Sequence, residues 1–435
     1  MKILVIGGGG REHAIIWKLS QSKHITKLYC SPGNAGIAEI AECIDVSPHN
    51  FNALADFVKY EWIDLTIVCS EKFLEQGIVD IFERHGCRIL GLNREALSFG
   101  LSRVLIKNFM KRHRIPIAEY QVFSSNLLAQ DYVQLKGVPL VIKTNGYPGD
   151  RRVFLASTVE DAVDTLKRIM KEKTYGDAGN RVIIEEHLKG QRISLLTISD
   201  GRTIVPLASA YKYRGIPDYD THSDAAVFGS YSPVPAITKE IENDIMEKVM
   251  HPLQKALNAE GIQFKGFISA DLIMQQNSIY IFELQFGFGD LEPQTILPRL
   301  KSDIGELILS AMEERLSEVH MKWDEKMSVC VMLFLKKEPA KESTGSKIKG
   351  LDAIKTMEDV FVFQENTVFD NNDIITPGGN ALYITATGKG LREAKIRAFS
   401  AVEKIHFEGM QYRKDIGNDI LIPNTKRADI VLKII

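Results

Sequence analysis

Three stretches of the 435-residue chain gather residue types suited to a phosphorylated ligand. The first is IGGGGREH, residues 6–13, with glycines between an apolar strand and a helix-like run. Glycines there let backbone N–H groups approach an anion at a helix amino end, and Arg11 supplies a cation. The plain alternative is a tight strand-to-helix turn. The spacing G-x-G-x-x-G fails, because Gly7 and Gly9 lead to Glu12 while Gly8 and Gly10 lead to His13. No acidic residue closes the second strand either, so a nicotinamide dinucleotide is disfavoured. SPGNAG at 31–36 adds a second polar loop through Gly33, Asn34 and Gly36.

The second stretch is a set of lysines and acids in the middle of the chain. Lys107 lies on a helix, Lys143 ends a strand, and Glu185-Glu186 follow the apolar run VII before His187-Leu188. Paired acids after a buried strand could bind an adenine amine and a ribose, or could simply end the strand. After Lys143 the row reads TNGYPGDRRVF, a loop with Gly146, Pro148 and Gly149 whose tip is Asp150-Arg151-Arg152. The third is FISADLIMQQNSIYIFELQ, a hairpin with Asp271 on one strand and Glu283 and Gln285 on the other. An odd turn puts the two carboxylates on one face and an even turn puts them on opposite faces. Hard oxygen ligands on rigid strands suit Mg²⁺ bridging phosphates; the alternative is a solvated strand face.

Elements that position these residues follow from periodicity. KILVI at 2–6, a helix at 51–60, DLTIVCS at 64–70 and CRILGL at 87–92 alternate as βαβα, which means a parallel sheet covered on both faces. From about 117 strands and helices of an α+β kind follow, with a helix at 159–173 and another at 238–259. The last ~90 residues carry short strands and one helix, as in a small α+β closing domain. Boundaries are expected at 1–103, 104–325 (with a lid subdomain at about 120–190) and 326–435, within the two to four domains that roughly 150 residues per domain suggests. Net charge is −2, with 45% hydrophobic and 25% charged residues, so the total implies no polyanionic partner. Five scattered cysteines without a C-x-x-C pair read as small buried hydrophobes in a reducing compartment. No apolar run approaches a membrane span or signal peptide. The expectation is a cytoplasmic, soluble protein without nucleic-acid or membrane partner.

The motifs IGGGGREHA, SPGNAG, IDLTIV, RHRIPIAEYQ, VIK, GDAGNRVIIEEHLKG, YSPVP, FGFGDLEPQ and YRKDIG occur in an order that resembles the phosphoribosylamine–glycine ligases (glycinamide ribonucleotide synthetases) of the ATP-grasp superfamily, along almost the whole chain. The resemblance implies a Rossmann-like pre-ATP-grasp α/β domain, an ATP-grasp domain and a C-terminal closing domain. It implies a carbon–nitrogen ligase of de novo purine (IMP) biosynthesis, monomeric or homodimeric, that uses ATP with Mg²⁺ or Mn²⁺. Glycine's carboxylate would attack the γ-phosphate, and the amine of phosphoribosylamine would capture the acyl phosphate. Carried across by motif, Lys107, Lys143, Glu185, Glu186 and Leu188 would contact ATP, with Lys143 and Arg151 supplying charge at the reacting phosphate. Glu283 would bind metal, joined by Asp271 and Gln285 of the hairpin. Gly10, Arg11, Glu12, Pro32, Gly33, Asn34 and Asp220 would lie beside the phosphoribosylamine.

Departures from the family pattern cluster in the middle of the chain. The family's Gly-Lys-Gly after VIK is Asp150-Arg151-Arg152, which removes backbone freedom and adds a carboxylate. The stretch before YSP keeps only the ends of its pattern from Thr221 to Gly229. Glu-x-Asn becomes Glu283-Leu284-Gln285, an expected arginine is Gly287, and an expected glutamate becomes Gln191-Arg192. Gly-Pro-Glu in the first domain becomes Cys69-Ser70-Glu71. Two other readings therefore stand beside the first. One is a ligase for another acid or amine, with His222, Asp224 and Phe228 lining a remodelled pocket. The other is a silent homologue that binds a ribose phosphate or a partner enzyme.

Overall fold

The computed structural model describes residues 1–92, 100, 102–146, 152–214, 227–262, 264–276, 278–335 and 345–418. The chain opens with β1 (Lys2–Gly7), α1 (Gly10–Leu19), β2 (Lys27–Pro32), β3 (Glu42–Cys43), α2 (Phe51–Tyr60), β4 (Leu65–Val68), α3 (Ile78–Arg84) and β5 (Ile89–Leu90). The strands form a parallel sheet in the order β3-β2-β1-β4-β5. A central parallel strand is covered on both faces, so β1 reads as an unbroken apolar run; Ile3, Leu4, Val5 and Ile6 are all 0% exposed. Helix α2 buries Phe51, Leu54, Ala55 and Val58, a stripe at i, i+3, i+4 and i+7, and Asn50 caps it by accepting from the Ala53 amide at 3.2 Å. Strand order reverses at β1, so the loops after β1 and β4 diverge and leave a crevice at the carboxyl edge.

Next come α4 (Arg103–Arg112), β6 (Tyr120–Phe123), α5 (Asn126–Lys136), β7 (Leu140–Thr144), β8 (Val153–Ala156), α6 (Val159–Leu166) and β9 (Val182–Glu186). The strands make an antiparallel sheet of order β6-β9-β7-β8. Alternation sorts its two faces. Leu140, Ile142, Val182 and Ile184 pack with Ala129 and Val133 of α5 and Ala162 and Leu166 of α6. Val141, Lys143, Ile183 and Glu185 therefore point the other way, and Val141 packs with Val153, Ile273 and Phe282. The helix expected at 159–173 is α-helical only to Leu166 and continues to Lys171 as a π-type turn.

Strands β10 (Gln191–Asp200), β11 (Ile204–Arg214), β12 (Val227–Ser232), β13 (Lys265–Gln275) and β14 (Ser278–Phe286) follow, with α7 (His251–Ala259) between β12 and β13 and the short α8 (Glu292–Ile296) after β14. The closing region adds β15 (Met327–Leu335), β16 (Ser346–Lys347), β17 (Val360–Gln364), β18 (Val368–Asp370), β19 (Asp373–Thr376), β20 (Gly379–Gly388), α9 (Leu391–Val402) and β21 (Met410–Tyr412). One sheet runs β14-β13-β10-β11-β12-β15-β20-β17, with β21 beside β15. The expected boundary at 325/326 thus falls between strands of a continuous sheet, because β12 pairs with β15, Gly229 opposite Val331.

The hairpin β13–β14 settles the question of strand faces. Gln275 pairs with Ser278, which leaves two positions in the turn, an even number. Plain continuation would place Asp271 opposite Phe282 and turn Glu283 to the other face. The register instead shifts between Asp271 and Leu272, leaving Phe282 without a cross-strand partner, and Asp271 pairs with Glu283. A bulge with one extra residue reverses the face of everything beyond it. The two carboxylates share a face despite the even turn.

Candidate active site

Beneath the β7–β9 face lies a cavity of about 390 Å³. Its walls are apolar, among them Val141, Leu155, Leu188, Ile273 and Phe282, and its rim carries Glu185, Glu186 and His187 at the end of β9. A few polar groups in a greasy slot of this volume suit a flat heterocycle. His187 Nδ1 is buried with no hydrogen-bond partner among the described residues, the mark of a site shaped for an absent ligand. Glu186 turns outward and accepts from the Glu119 amide at 3.0 Å.

At one end of this cavity three charges meet. Lys107 Nζ lies 2.9 Å from Glu185 Oε1, and Lys143 Nζ lies 3.0 Å from Glu185 Oε2. All three side chains are at most 4% exposed. Lys143 also donates to the Phe282 carbonyl at 2.7 Å and sits 3.7 Å from the centre of that ring. Burial draws the Lys143 ammonium down to about 7, against Glu185 and reinforced by Lys107. Burial works against the Glu185 charge too, but the two lysines outweigh it and hold the carboxyl below its usual range. The arrangement carries two cations for one anion, so it presents net positive charge where a nucleotide's phosphates would extend.

On the neighbouring face, Glu283 is gripped by Arg103, whose Nε reaches its two oxygens at 3.0 and 3.1 Å. Arg103 also donates to the carbonyls of Thr144 and Arg152, both at 3.0 Å. Arg103 and Lys107 are one turn apart on the buried side of α4, so a single helix delivers a cation to each end of the site. Sequence reasoning singled out Lys107 and missed Arg103; the i, i+4 spacing of two cations on an otherwise apolar stripe was the available signal.

Asp271 differs from the expectation of a metal ligand. Lys212 lies 3.2 Å from its Oδ1, Arg192 lies 3.3 Å from its Oδ2, and Arg214 also bonds Oδ2. Burial disfavours its charge, yet these three cations hold the carboxyl far below its ordinary value. A divalent cation approaching Asp271 meets three positive neighbours, so the carboxylate fits a counter-ion, not a metal ligand. Lys212 also reaches the fully buried Glu292 at 2.7 Å, and Glu292 further accepts from Ser194, Ser269 and the Gly289 amide. Among the described residues no three His, Cys, Asp or Glu side chains converge to form a metal cage. Glu283 and Gln285, two residues apart on one face, are oxygen donors of the kind that fit Mg²⁺ arriving with phosphate oxygens, since that ion commonly takes one or two protein carboxylates plus substrate and water.

A second, larger cavity of about 1030 Å³ occupies the crevice at the carboxyl edge of the first sheet. Gly10, Arg11, Glu12, Pro32 and Gly33 line it, together with Lys72, Asp290, Phe228 and residues of the closing region. Asn34 does not line it. Its Nδ2 donates to the carbonyls of Gly8 at 2.8 Å and Gln364 at 2.7 Å, and its Oδ1 accepts from the Ile37 amide at 2.9 Å. It ties the two glycine loops to the closing region. Arg11 donates to the Phe288 carbonyl at 2.8 Å and pairs with Asp290 at 3.4 Å. Burial raises the Glu12 carboxyl, Arg11 opposes that, and nearby Glu365 adds to it. Asp150, Arg151, Asp220, His222 and Asp224 lie outside the described residues.

Known proteins resemble the chain along almost its whole length. Models of the phosphoribosylglycinamide synthetase N domain, ATP-grasp (A) domain and C domain match residues 1–99, 101–293 and 328–419. The phosphoribosylamine–glycine ligase of Caldanaerobacter subterraneus subsp. tengcongensis is 38% identical over 416 residues, covering 96% of this chain and 99% of that protein. That of Escherichia coli strain K12 is 37% identical over 421 residues, covering 96% and 98%. Among solved structures, phosphoribosylamine–glycine ligase from Thermotoga maritima superposes with a TM-score of 0.78 at 24% identity, covering 96% of this chain and 100% of that one. Biotin carboxylase from Campylobacter jejuni does so at 0.71 and 14%, covering 99% and 96%. The two structures speak for a shared ATP-grasp fold. With three domain models in sequence order and full-length relatives well above 30% identity, the chain belongs to the phosphoribosylglycinamide synthetase family.

Proposed function

We propose that this protein is an ATP-dependent carbon–nitrogen ligase that joins glycine to 5-phosphoribosylamine. The observation that carries the reading is the Lys107–Glu185–Lys143 cluster at the end of an apolar cavity, facing the Glu283 side of the hairpin. The apolar walls would take adenine, with the backbone of Glu186 to Leu188 along its edge. Lys107 and Lys143 would exchange part of their hold on Glu185 for phosphate oxygens, neutralising charge as it moves to the leaving ADP. A divalent cation, when bound, neutralises phosphate charge, and Glu283 and Gln285 would hold it. Glycine's carboxylate oxygen forms a bond to the γ-phosphorus as the bond to ADP breaks. The amine nitrogen then bonds the acyl carbon, and phosphate leaves as the nitrogen loses a proton. The second cavity, which opens between the glycine loop and Asp290, would hold the phosphoribosylamine.

The experiment is ATP-dependent phosphate release with glycine and freshly generated phosphoribosylamine, each omitted in turn. Release that needs both supports the reading; release that needs neither, or none at all, removes it. A second reading keeps the phosphoryl chemistry and changes the acid. It is favoured by Arg192, Lys212 and Arg214 converging on Asp271 beside the phosphate end, a cluster able to hold a second carboxylate. Phosphate release with a dicarboxylic amino acid in place of glycine would select it.

A further inference from the structure

The glycine loop of the larger cavity meets an unexpected group. Glu365, just beyond β17, reaches across to α1, where its Oε2 accepts from the Gly10 amide at 3.3 Å. The same oxygen accepts from Tyr383 Oη at 2.5 Å, and Oε1 accepts from Asn380 Nδ2 at 3.3 Å. Asn380 also donates to Tyr383 Oη at 3.3 Å. Glu12 fills the neighbouring amide, accepting from Gly9 N at 2.9 Å. The amides at this helix start, which elsewhere would receive a phosphate, are thus answered by two carboxylates of the protein. A phosphate placed there would face Glu12 and Glu365 at once, whereas a group rich in N–H or O–H donors would find two acceptors already aimed. Lys72, also lining the cavity, supplies a cation elsewhere on its wall.

We propose that Glu365, held by Tyr383 and Asn380, is a specificity-determining residue that takes the hydroxyl and amine donors of the sugar acceptor, whose phosphate lies away from the glycine loop. This rests on the reading of the larger cavity as the acceptor site. The closing region then recognises the acceptor in addition to covering it. Tyr383 and Asn380 are positioning residues: they fix the carboxylate but leave the acceptor to Glu365.

Isothermal calorimetry with ribose 5-phosphate as the probe, on the full chain, tests this. Glu365→Gln keeps the shape and removes the charge, and a charge-assisted hydrogen bond is worth about 1.5–3 kcal/mol. The expected result is binding weaker by about tenfold or more, with Mg·ATP affinity and Tm unchanged. Tyr383→Phe, which releases the carboxylate, is expected to weaken the probe by a smaller factor. Unchanged or tighter binding in Glu365→Gln would overturn the assignment alone, tighter binding meaning that the carboxylate excludes a phosphate. No binding by the unaltered protein would overturn the acceptor reading and this assignment with it. A loss of Mg·ATP affinity equal to the loss of probe would mark Glu365 as merely structural and overturn it too.

Discussion

Lys107 on α4 and Lys143 on β7 grip opposite oxygens of one buried carboxylate, Glu185, at 2.9 and 3.0 Å. The three groups come from separate elements, so the cluster forms only when the helix and both strands are in place. Removing the shared anion leaves two buried cations, and breaking a buried pair typically costs about 3–5 kcal/mol. Glu185→Gln is expected to lose stability in urea titration at pH 7, with less lost at pH 9, where Lys143 has already shed its proton. An equal loss at both pH values would mean that Lys143 does not set the cost.

Ligand binding offers a second check on the same cluster. Nucleotide present at 100 times its Kd stabilises a fold by about 2.7 kcal/mol. Lys143→Ala is expected to abolish the thermal shift with Mg·ATP while keeping the shift with ribose 5-phosphate, because the two cavities are separate. Loss of both shifts would show that the variant has lost its fold rather than a ligand contact.

Asp271 and Glu283 face the same way yet are expected to respond differently. Asp271→Asn takes this anion from Arg192 and Arg214, leaves Lys212 with Glu292 alone, and should cost about 3–5 kcal/mol in urea, with the Mg²⁺ requirement of ATP binding unchanged. Glu283→Gln leaves Arg103 two carbonyl acceptors, so about 1–3 kcal/mol is expected, but the Mg²⁺ needed for half-maximal ATP binding should rise about tenfold or more, as removal of one ligand implies. A raised Mg²⁺ requirement in Asp271→Asn would return that residue to the metal site.

His13 gives the protein a defined acid limit. Its Nδ1 accepts from the Gln364 amide at 2.9 Å, and burial pushes its pKa down to about 4 from an ordinary 6.5. The unfolded chain therefore takes up the proton first. The His13 contribution to stability is therefore expected to be level above about pH 6.5 and to fall as pH drops towards 4, by about 3 kcal/mol for a shift of this size. His13→Leu should flatten that slope in urea titrations between pH 7 and 4.5, even though it starts from a lower stability. An unaltered slope in the variant would assign the acid sensitivity to other groups.

Gly10, the first residue of α1, is required for a close contact. A Cβ on it would sit 2.2 Å from the Tyr383 ring. Gly10→Ala should cost about 1–3 kcal/mol by overpacking, and much of that should return in the double variant Gly10→Ala, Tyr383→Leu. Additive losses would place the strain elsewhere.

Much of this was legible in the sequence because it depends on short-range periodicity. The unbroken KILVI run and the βαβα rhythm around it announced a doubly covered parallel strand. The helix expected at 51–60 is found there. What stayed hidden depends on contacts between distant segments. Arg103 looked like any surface cation, because its partner Glu283 is 180 residues away. Asp271 looked like a ligand because Lys212, Arg214 and Arg192 approach from neighbouring strands. Glu365 carried no motif at all; only folding the closing region against α1 gives its carboxylate a task. Turn parity misled for a different reason, since a bulge is a defect in the very regularity that parity counting assumes.

That bulge has a further consequence for how the gene can vary. Phe282 is the supernumerary residue that the bulge takes out of the ladder beside the Asp271–Glu283 pair, and its carbonyl and ring are what receive Lys143. Arg192 stacks on the same ring at 3.9 Å. Loss of this one codon would restore a regular ladder with Glu283 still opposite Asp271, but it would remove both the carbonyl and the ring that seat Lys143. The one residue that the ladder could do without is thus the one on which the Lys143 cluster rests.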